Sequence, residues 1–237
     1  MIQSATLIIL HTQRYKESSL LVYAYSNVYG RQNYLVKGVR SPKNKAKASC
    51  FHPLSILEAE TYNNPKKELQ QLKEYHKVFP LENLFLDVSK STTALFMGEL
   101  LYKCLRETET DPALFDFVYQ TVVELDNAPE HDPNTPIRFA SQLCRYLGYE
   151  PHDNYHPQDA PFFHIASASF FPTPDLIQDA FDTDSSFLLH ALLAKVPFTT
   201  TGAKRHAFLT RLLAFYAYHM GKPITLQSPD ILHSIFR

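Results

Sequence analysis

Residues 19–40, SLLVYAYSNVYGRQNYLVKGVR, decide how this chain folds. Leu20, Val22 and Ala24 alternate with Leu21, Tyr23 and Tyr25, the period of two that a pleated strand imposes. Gly30 then supplies a turn. Alternation resumes over Gln32–Val39, with Tyr34 and Val36 set against Leu35 and Lys37. Gly38 within that second strand marks a bulge or sharp bend, as a curved sheet requires. Working outward, Ala5–Leu10 is a β-rich apolar run. Pro53–Tyr62 and Lys67–Val78 are further strands, joined by a turn at Asn63–Asn64–Pro65. Five short strands in so compact a segment fit a small closed barrel of the OB type.

After Pro80 the period changes. Met97, Leu100, Leu101, Cys104 and Leu105 follow the three-four spacing of a helix with one buried face. Asp111–Pro112 reads as an N-cap followed by proline at the first helical position, opening a helix to about Leu125. Thr135–Pro136 repeats the device, and Ile137, Ala140, Leu143, Cys144 and Leu147 face inward before Gly148 ends that helix. Phe208, Leu212, Phe215, Tyr216 and His219 stripe a later helix, closed by Gly221–Lys222–Pro223. Tyr149–Thr183 has no clean period and reads as an irregular insertion packed by its aromatic residues. The expected fold class is α+β: a five-stranded OB-fold β-barrel over 1–80, then a helical domain over 81–237 with an insertion at about 149–183.

A hydrophobic content of 45% and an aromatic content of 13% suit a folded chain with a real core. No charged leader precedes an apolar run, and no window approaches the roughly 18–20 apolar residues of a membrane span. Cys50, Cys104 and Cys144 lie far apart and form no CxxC pair. A reduced, cytoplasmic protein is expected.

Charge is distributed unevenly. The first fifty-seven residues carry eight cations, Arg14, Lys16, Arg31, Lys37, Arg40, Lys43, Lys45 and Lys47, against the single acid Glu17, a net of +7. The rest of the chain carries fifteen cations and twenty-three acids, a net of −8, so the overall charge of −1 hides a polarised molecule. Cations strung along a strand and its adjoining loop, RSPKNKAKAS, are what a phosphate backbone needs. Tyr23, Tyr25 and Tyr34 stand on the same strands, where an aromatic ring either stacks on a base or fills the barrel. The expected nucleic-acid-binding set is Arg14, Arg31, Lys37, Arg40, Lys43, Lys45 and Lys47, with Tyr23 and Tyr34.

Other chemistries find less support. His152, His156 and His164 cluster with Asp153 and Asp159, but without the tight Cys/His pairs of a structural zinc site. There is no GxSxG, HExxH, P-loop or GxGxxG. Glu58 and Glu60 share a strand face, which alternating glutamates on an exposed strand also do for solvation. Neither an enzyme nor a cofactor is expected. In the helical half, Arg138, Arg145, Arg205 and Arg211, with Lys204, border apolar stripes; together they suit an acidic peptide ending in an aromatic residue, while each taken singly reads as surface charge on an ordinary helix. An RNA-binding barrel and a pure protein adaptor remain alternative readings of the same residues.

The chain also resembles the bacterial recombination-mediator family RecO. The segments that carry the resemblance are ATLIILHTQRYKESSLLVYAYSNVYGRQNYLVKGVRSPK at 5–43, HPLSILEAE at 52–60 and LLAFYAYHMGKPITLQSPDIL at 212–232. Their order and spacing carry more than any one of them. The resemblance implies an OB barrel and a helical domain with no catalytic site. It implies binding to single- and double-stranded DNA, annealing of complementary strands, and work with the partner RecR. It further implies that the two together load RecA onto DNA coated by single-stranded DNA-binding protein, whose acidic, Phe-ending tail the helical domain would capture. The family's DNA-binding cations fall on Lys37 and Arg40 here. Many relatives carry a four-cysteine zinc module after a Leu-Gly-Tyr-x-Pro segment. Here Leu147–Gly148–Tyr149–Glu150–Pro151 is followed by His and Asp instead, so no metal is implied. Phe162, Phe163, Phe170 and Phe171 are the expected anchors of that segment.

Overall fold

The computed structural model describes residues 2–41, 45–64, 66–105, 110–173 and 179–236. They form two compact units, Met1–Glu130 and His131–Arg237. Strands give way to helices at residue 80, but the first unit also contains the first long helices.

The first unit is built on five strands: β1 (Ile2–Tyr15), β2 (Ser19–Ser26), β3 (Gly30–Val36), β4 (Ile56–Tyr62) and β5 (Gln70–Lys77). They close into a barrel in the order β1-β2-β3-β5-β4. β1 is long enough to pair with two neighbours, with β4 from Ile2 to Ile8 and with β2 from Leu7 to Tyr15. A register shift between Ile9 and His11 bends it from one partner to the other. Closure depends on one short parallel contact, Tyr34 opposite Gln70 and Leu35 opposite Gln71. Inward side chains alternate as the pleat requires: Leu7 and Ile9, Val22 and Ala24, Tyr34 and Val36, Leu57 and Ala59. The strand expected over Gln32–Val39 stops at Val36, and Gly38 adopts φ +69° in the turn that follows, so it terminates the strand instead of bulging it. A helical turn, α1 (Lys45–Ala48), occupies part of the segment expected to be a loop.

Three helices complete this unit: α2 (Glu82–Leu86), α3 (Val88–Cys104) and α4 (Pro112–Asn127). Asp87 caps α3 by accepting from the backbone N–H groups of Ser89 and Lys90, and Asp111 caps α4 through those of Ala113 and Leu114. α3 lies against the outer face of β1. A Cβ on Gly98 would stand 3.0 Å from the carbonyl oxygen of Leu10 and 3.2 Å from the Pro53 Cβ, so any side chain there would push α3 off β1 by a few tenths of an ångström. The buried Lys90 donates to the Asp126 carbonyl at 2.9 Å and to that of Ala128, neutralising the C-terminal end of α4.

The second unit contains α5 (Thr135–Tyr146), a hairpin of β6 (Phe162–His164) and β7 (Ser169–Phe171), α6 (Thr183–Leu193), α7 (Gly202–His219) and α8 (Ser228–Ile235). α5 is capped at Asn134 with no side-chain hydrogen bond, so the expected Thr135 cap moves back one residue. Tyr216 donates to the Ala140 carbonyl at 2.7 Å, pinning α7 to α5. The expected irregular insertion contains real structure. Asn154 grips β7 twice, donating to the Phe170 carbonyl and accepting its N–H, while Asp153 meets His190 at 2.8 Å. Phe163 and Phe170 are buried anchors, whereas Phe171 is exposed. Hydrogen bonds and aromatic rings thus hold this segment, and among the described residues no cluster of three metal-ligating side chains forms.

Candidate nucleic-acid interface

The register places several of the predicted cations at one end of the barrel. Arg14 lies opposite Leu20, and Leu20 opposite Val36, so Arg14 and Lys37 come from the same end of three adjacent strands. The Arg40 N–H donates to the Ser18 carbonyl and its guanidinium to that of Glu17, which ties the segment after β3 to the β1–β2 turn. Lys16 lies in that turn. Arg14, Lys16, Lys37, Arg40 and Lys47 are all exposed. Lys37 is the first residue after β3, not a member of the strand face. Lys43 lies outside the described residues, and Lys45 is placed only as the first residue of α1.

Beside this end is a hollow of about 250 Å³ that brings Lys37, Lys47 and Lys73 together around Leu35, Leu72 and Tyr75. Lys73 and Tyr75 come from β5, beyond the basic block, and sequence reasoning missed both. No clean alternation announced them, because a register shift opposite Glu60 and Thr61 interrupts β5 between Leu72 and Glu74. Lys73 meets Glu60 at 3.5 Å, an exposed pair of the kind that contributes little and yields to a phosphate. Burial raises the Tyr75 hydroxyl above its ordinary pKa, with Cys50 adding to the shift, so the ring stays neutral. Its ring lies 4.9 Å from that of Phe51, the two planes tilted by 59°. Three cations around a half-buried aromatic can hold phosphates and offer a ring to a base.

Three predicted residues serve elsewhere. Tyr34 is 1% exposed inside the barrel and presents no ring to a base, a correction that follows from its sharing the inward face with Val36. Arg31 donates to the carbonyls of Tyr102 and Leu105, so its charge sits on the C-terminal end of α3. Tyr23 packs against Tyr102 at 4.9 Å and against His11 at 5.8 Å, joining the barrel to the same helix. Glu58 and Glu60 form cross-strand pairs with His76 and Lys73, the solvated arrangement.

In the second unit the basic residues are dispersed among partners. Arg138 lies 5.3 Å from the Phe198 ring and pairs with Asp132 at 3.4 Å. Arg145 reaches Glu150, Lys204 reaches Asp184, and Arg211 is half-buried on α7. Arg205 donates to the Phe236 carbonyl at 2.9 Å; burial lowers its pKa, against the opposing pull of Asp132. A hollow of about 420 Å³ lies between the starts of α6 and α7, lined by Phe187, Leu188, Phe198 and Lys204, with Asp182 and Asp184 also on its wall.

A closed barrel in this strand order, carrying a cationic hollow with an aromatic wall, defines an OB-fold protein followed by helices. The family profile described as Recombination protein O N terminal matches residues 1–80, and that described as Recombination protein O C terminal matches residues 86–156. The chain belongs to the RecO family of DNA repair and recombination proteins. It is 29% identical over 243 residues to the DNA repair protein RecO of Bacteroides fragilis, with all of both chains covered. It is 28% identical over 241 residues to that of Phocaeicola vulgatus, again with full coverage. Against that of Flavobacterium johnsoniae it is 28% identical over 234 residues, covering 97% of each chain. Among the described residues no helix is long and apolar enough to cross a membrane.

Proposed function

We propose that this chain is a non-enzymatic, cytoplasmic recombination mediator that binds single- and double-stranded DNA on its barrel and anneals complementary strands. The observation that carries the reading is the hollow that gathers Lys37, Lys47 and Lys73 around Tyr75, next to Arg14 and Arg40. Annealing needs no bond chemistry. Two polyanions brought to one cationic surface lose much of their mutual repulsion, and base pairing does the rest. The partners in this reading are RecR, the acidic tail of single-stranded DNA-binding protein and, indirectly, RecA. The hollow beside Phe187, Leu188 and Phe198, with Lys204 at its edge and Arg138 stacked near Phe198, suits the aromatic end of that tail.

Titrating a labelled single strand of about 30 nucleotides at several salt concentrations tests the barrel assignment. Neutralising about four to six phosphates gives a log–log slope of roughly −3 to −4. Lys37→Glu with Lys73→Glu is expected to cut affinity at least tenfold and flatten the slope. Unchanged binding in that variant removes the assignment, and equal affinity for DNA and RNA of one length removes the DNA preference.

A further inference from the structure

The β3–β5 contact separates two recesses on the barrel surface, the smaller being the hollow at Lys37, Lys47 and Lys73. On the other side of Tyr34–Gln70 and Leu35–Gln71 is a larger hollow, about 780 Å³, at the opposite end of β3. Arg31, Gln32 and Asn33 line it from β3, Tyr29 from the β2–β3 turn, and Lys66 and Lys67 from the β4–β5 loop. Glu68 is the acid on its wall.

The loop that presents the two lysines is built, not merely placed. Gln70 is 4% exposed, and its side-chain amide binds the loop at three points. It donates to the Asn64 carbonyl at 3.0 Å and to the Lys67 carbonyl at 2.6 Å, and accepts the Asn64 N–H at 2.8 Å. The Asn64 side chain in turn accepts the Lys66 N–H at 3.0 Å. Lys66 and Lys67 are exposed at the end of this stitched segment. Asn33 contributes a different group. Its side-chain oxygen is buried and has no hydrogen-bond partner among the described residues. A buried acceptor left without a donor carries a desolvation cost that a ligand can relieve.

The donor that Asn33 lacks is found on nucleobases as exocyclic amino groups, and Lys66 and Lys67, which form no ion pair among the described residues, can meet a phosphate. The two recesses share one strand pair. From Asn33 to Lys37 is four residues, roughly 13 Å along a strand at about 3.3 Å per residue, a distance a few nucleotides span. We infer that a single nucleic-acid strand held at Lys37, Lys47 and Lys73 continues across the β3–β5 contact into the recess at Lys66, Lys67 and Asn33. This rests on the barrel being the nucleic-acid surface and adds its path. Phosphates meet the two lysines, a base amino group donates to Asn33, and Tyr29 borders the base. Arg31 lines the recess, but its guanidinium remains on the α3 carbonyls and takes no phosphate. A path of this length presents several consecutive bases in an extended, unpaired conformation, the form in which a complementary strand can pair with them.

The test is a length series. Single strands of about 2 nucleotides, too short to span both recesses, and of about 18 nucleotides are titrated against the full chain, against Lys66→Glu/Lys67→Glu, and against Lys37→Glu/Lys73→Glu. Both lysines of the loop are exposed, and Gln70 and Asn64 remain to hold it, so this variant retains its fold; a circular dichroism melt checks that. The expected result is that Lys66→Glu/Lys67→Glu binds the short strand within twofold of the parent. It should lose at least tenfold on the long strand, with the salt slope smaller by about 1.4 for two single-strand phosphates. Equal loss on both lengths, or no loss on the long strand, overturns the path. Adenosine monophosphate is titrated in parallel. Its loss in the loop variant with long-strand binding intact makes the recess a small-phosphate site and also overturns the path. If the parent binds neither strand at low salt, the failure lies with the barrel assignment itself, a distinct outcome.

Discussion

Arg31 on β3 donates to the main-chain carbonyl of Tyr102 in the last turn of α3, 71 positions later in the chain, with its guanidinium 4.8 Å from the Tyr102 ring. A cation at a helix C-terminus meets the negative end of the helix dipole, and a planar guanidinium also stacks on an aromatic face. One side chain therefore fastens the barrel to α3, and a charge that looks like a phosphate contact in the sequence holds the fold together.

Arg31→Ala is therefore expected to destabilise the barrel-containing unit. Loss of charge-assisted hydrogen bonds to carbonyls is worth roughly 1.5–3 kcal/mol. Urea unfolding followed by circular dichroism reads this as a lower midpoint. The salt dependence of strand binding should keep the parent slope. A slope reduced by about 0.7, one single-strand phosphate, would instead place Arg31 on the nucleic acid.

Tyr34→Phe makes the opposite prediction. The Tyr34 hydroxyl is buried in the barrel with no hydrogen-bond partner among the described residues, and burial drives its pKa far above the ordinary value. Removing an unsatisfied buried hydroxyl while keeping the ring deletes a desolvation cost and no bond. The variant should be as stable as the parent or more stable by up to about 1 kcal/mol, with strand affinity unchanged. A clear loss of stability would mean that the hydroxyl has a partner. Weakened binding with the fold intact would return Tyr34 to the interface.

The barrel was legible because its first hairpin is local. β2 and β3 are neighbours in sequence and in the sheet, so alternation and Gly30 suffice to define them. The Asp111–Pro112 cap was legible for the same reason. The inward direction of Tyr34 was also readable, since Val36 shares its face and Lys37 does not. What escaped is non-local. Nothing near Arg31 announces a helix end seventy residues away, and Lys73 and Tyr75 enter the hollow only because β5 pairs in parallel with β3. The hairpin Phe162–Phe171 and the Asn154 clamp carry no period, since three-residue strands are too short to show one.

Acidification gives the last prediction. His11 is held below its ordinary pKa of 6.5 by burial, with Glu99 opposing and Lys103 and Arg31 reinforcing that effect. Burial, reinforced by Lys77, also lowers His52. For both groups the folded state takes up its proton at a lower pH than the unfolded chain does. The unfolded state therefore binds more protons just below the unfolded pKa, and stability rises with pH there. Their contribution is complete above about pH 6.5 and is lost as pH falls through the folded values. Chemical-denaturation midpoints between pH 5 and pH 8 should drop on the acid side. In His11→Gln/His52→Gln, whose glutamines do not titrate, the profile should be flatter. A double variant that parallels the parent at every pH would show that other groups set the acid limit. A parent that gains stability below pH 6.5 relative to the variant would reverse the sign and exclude burial of neutral histidine as the cause.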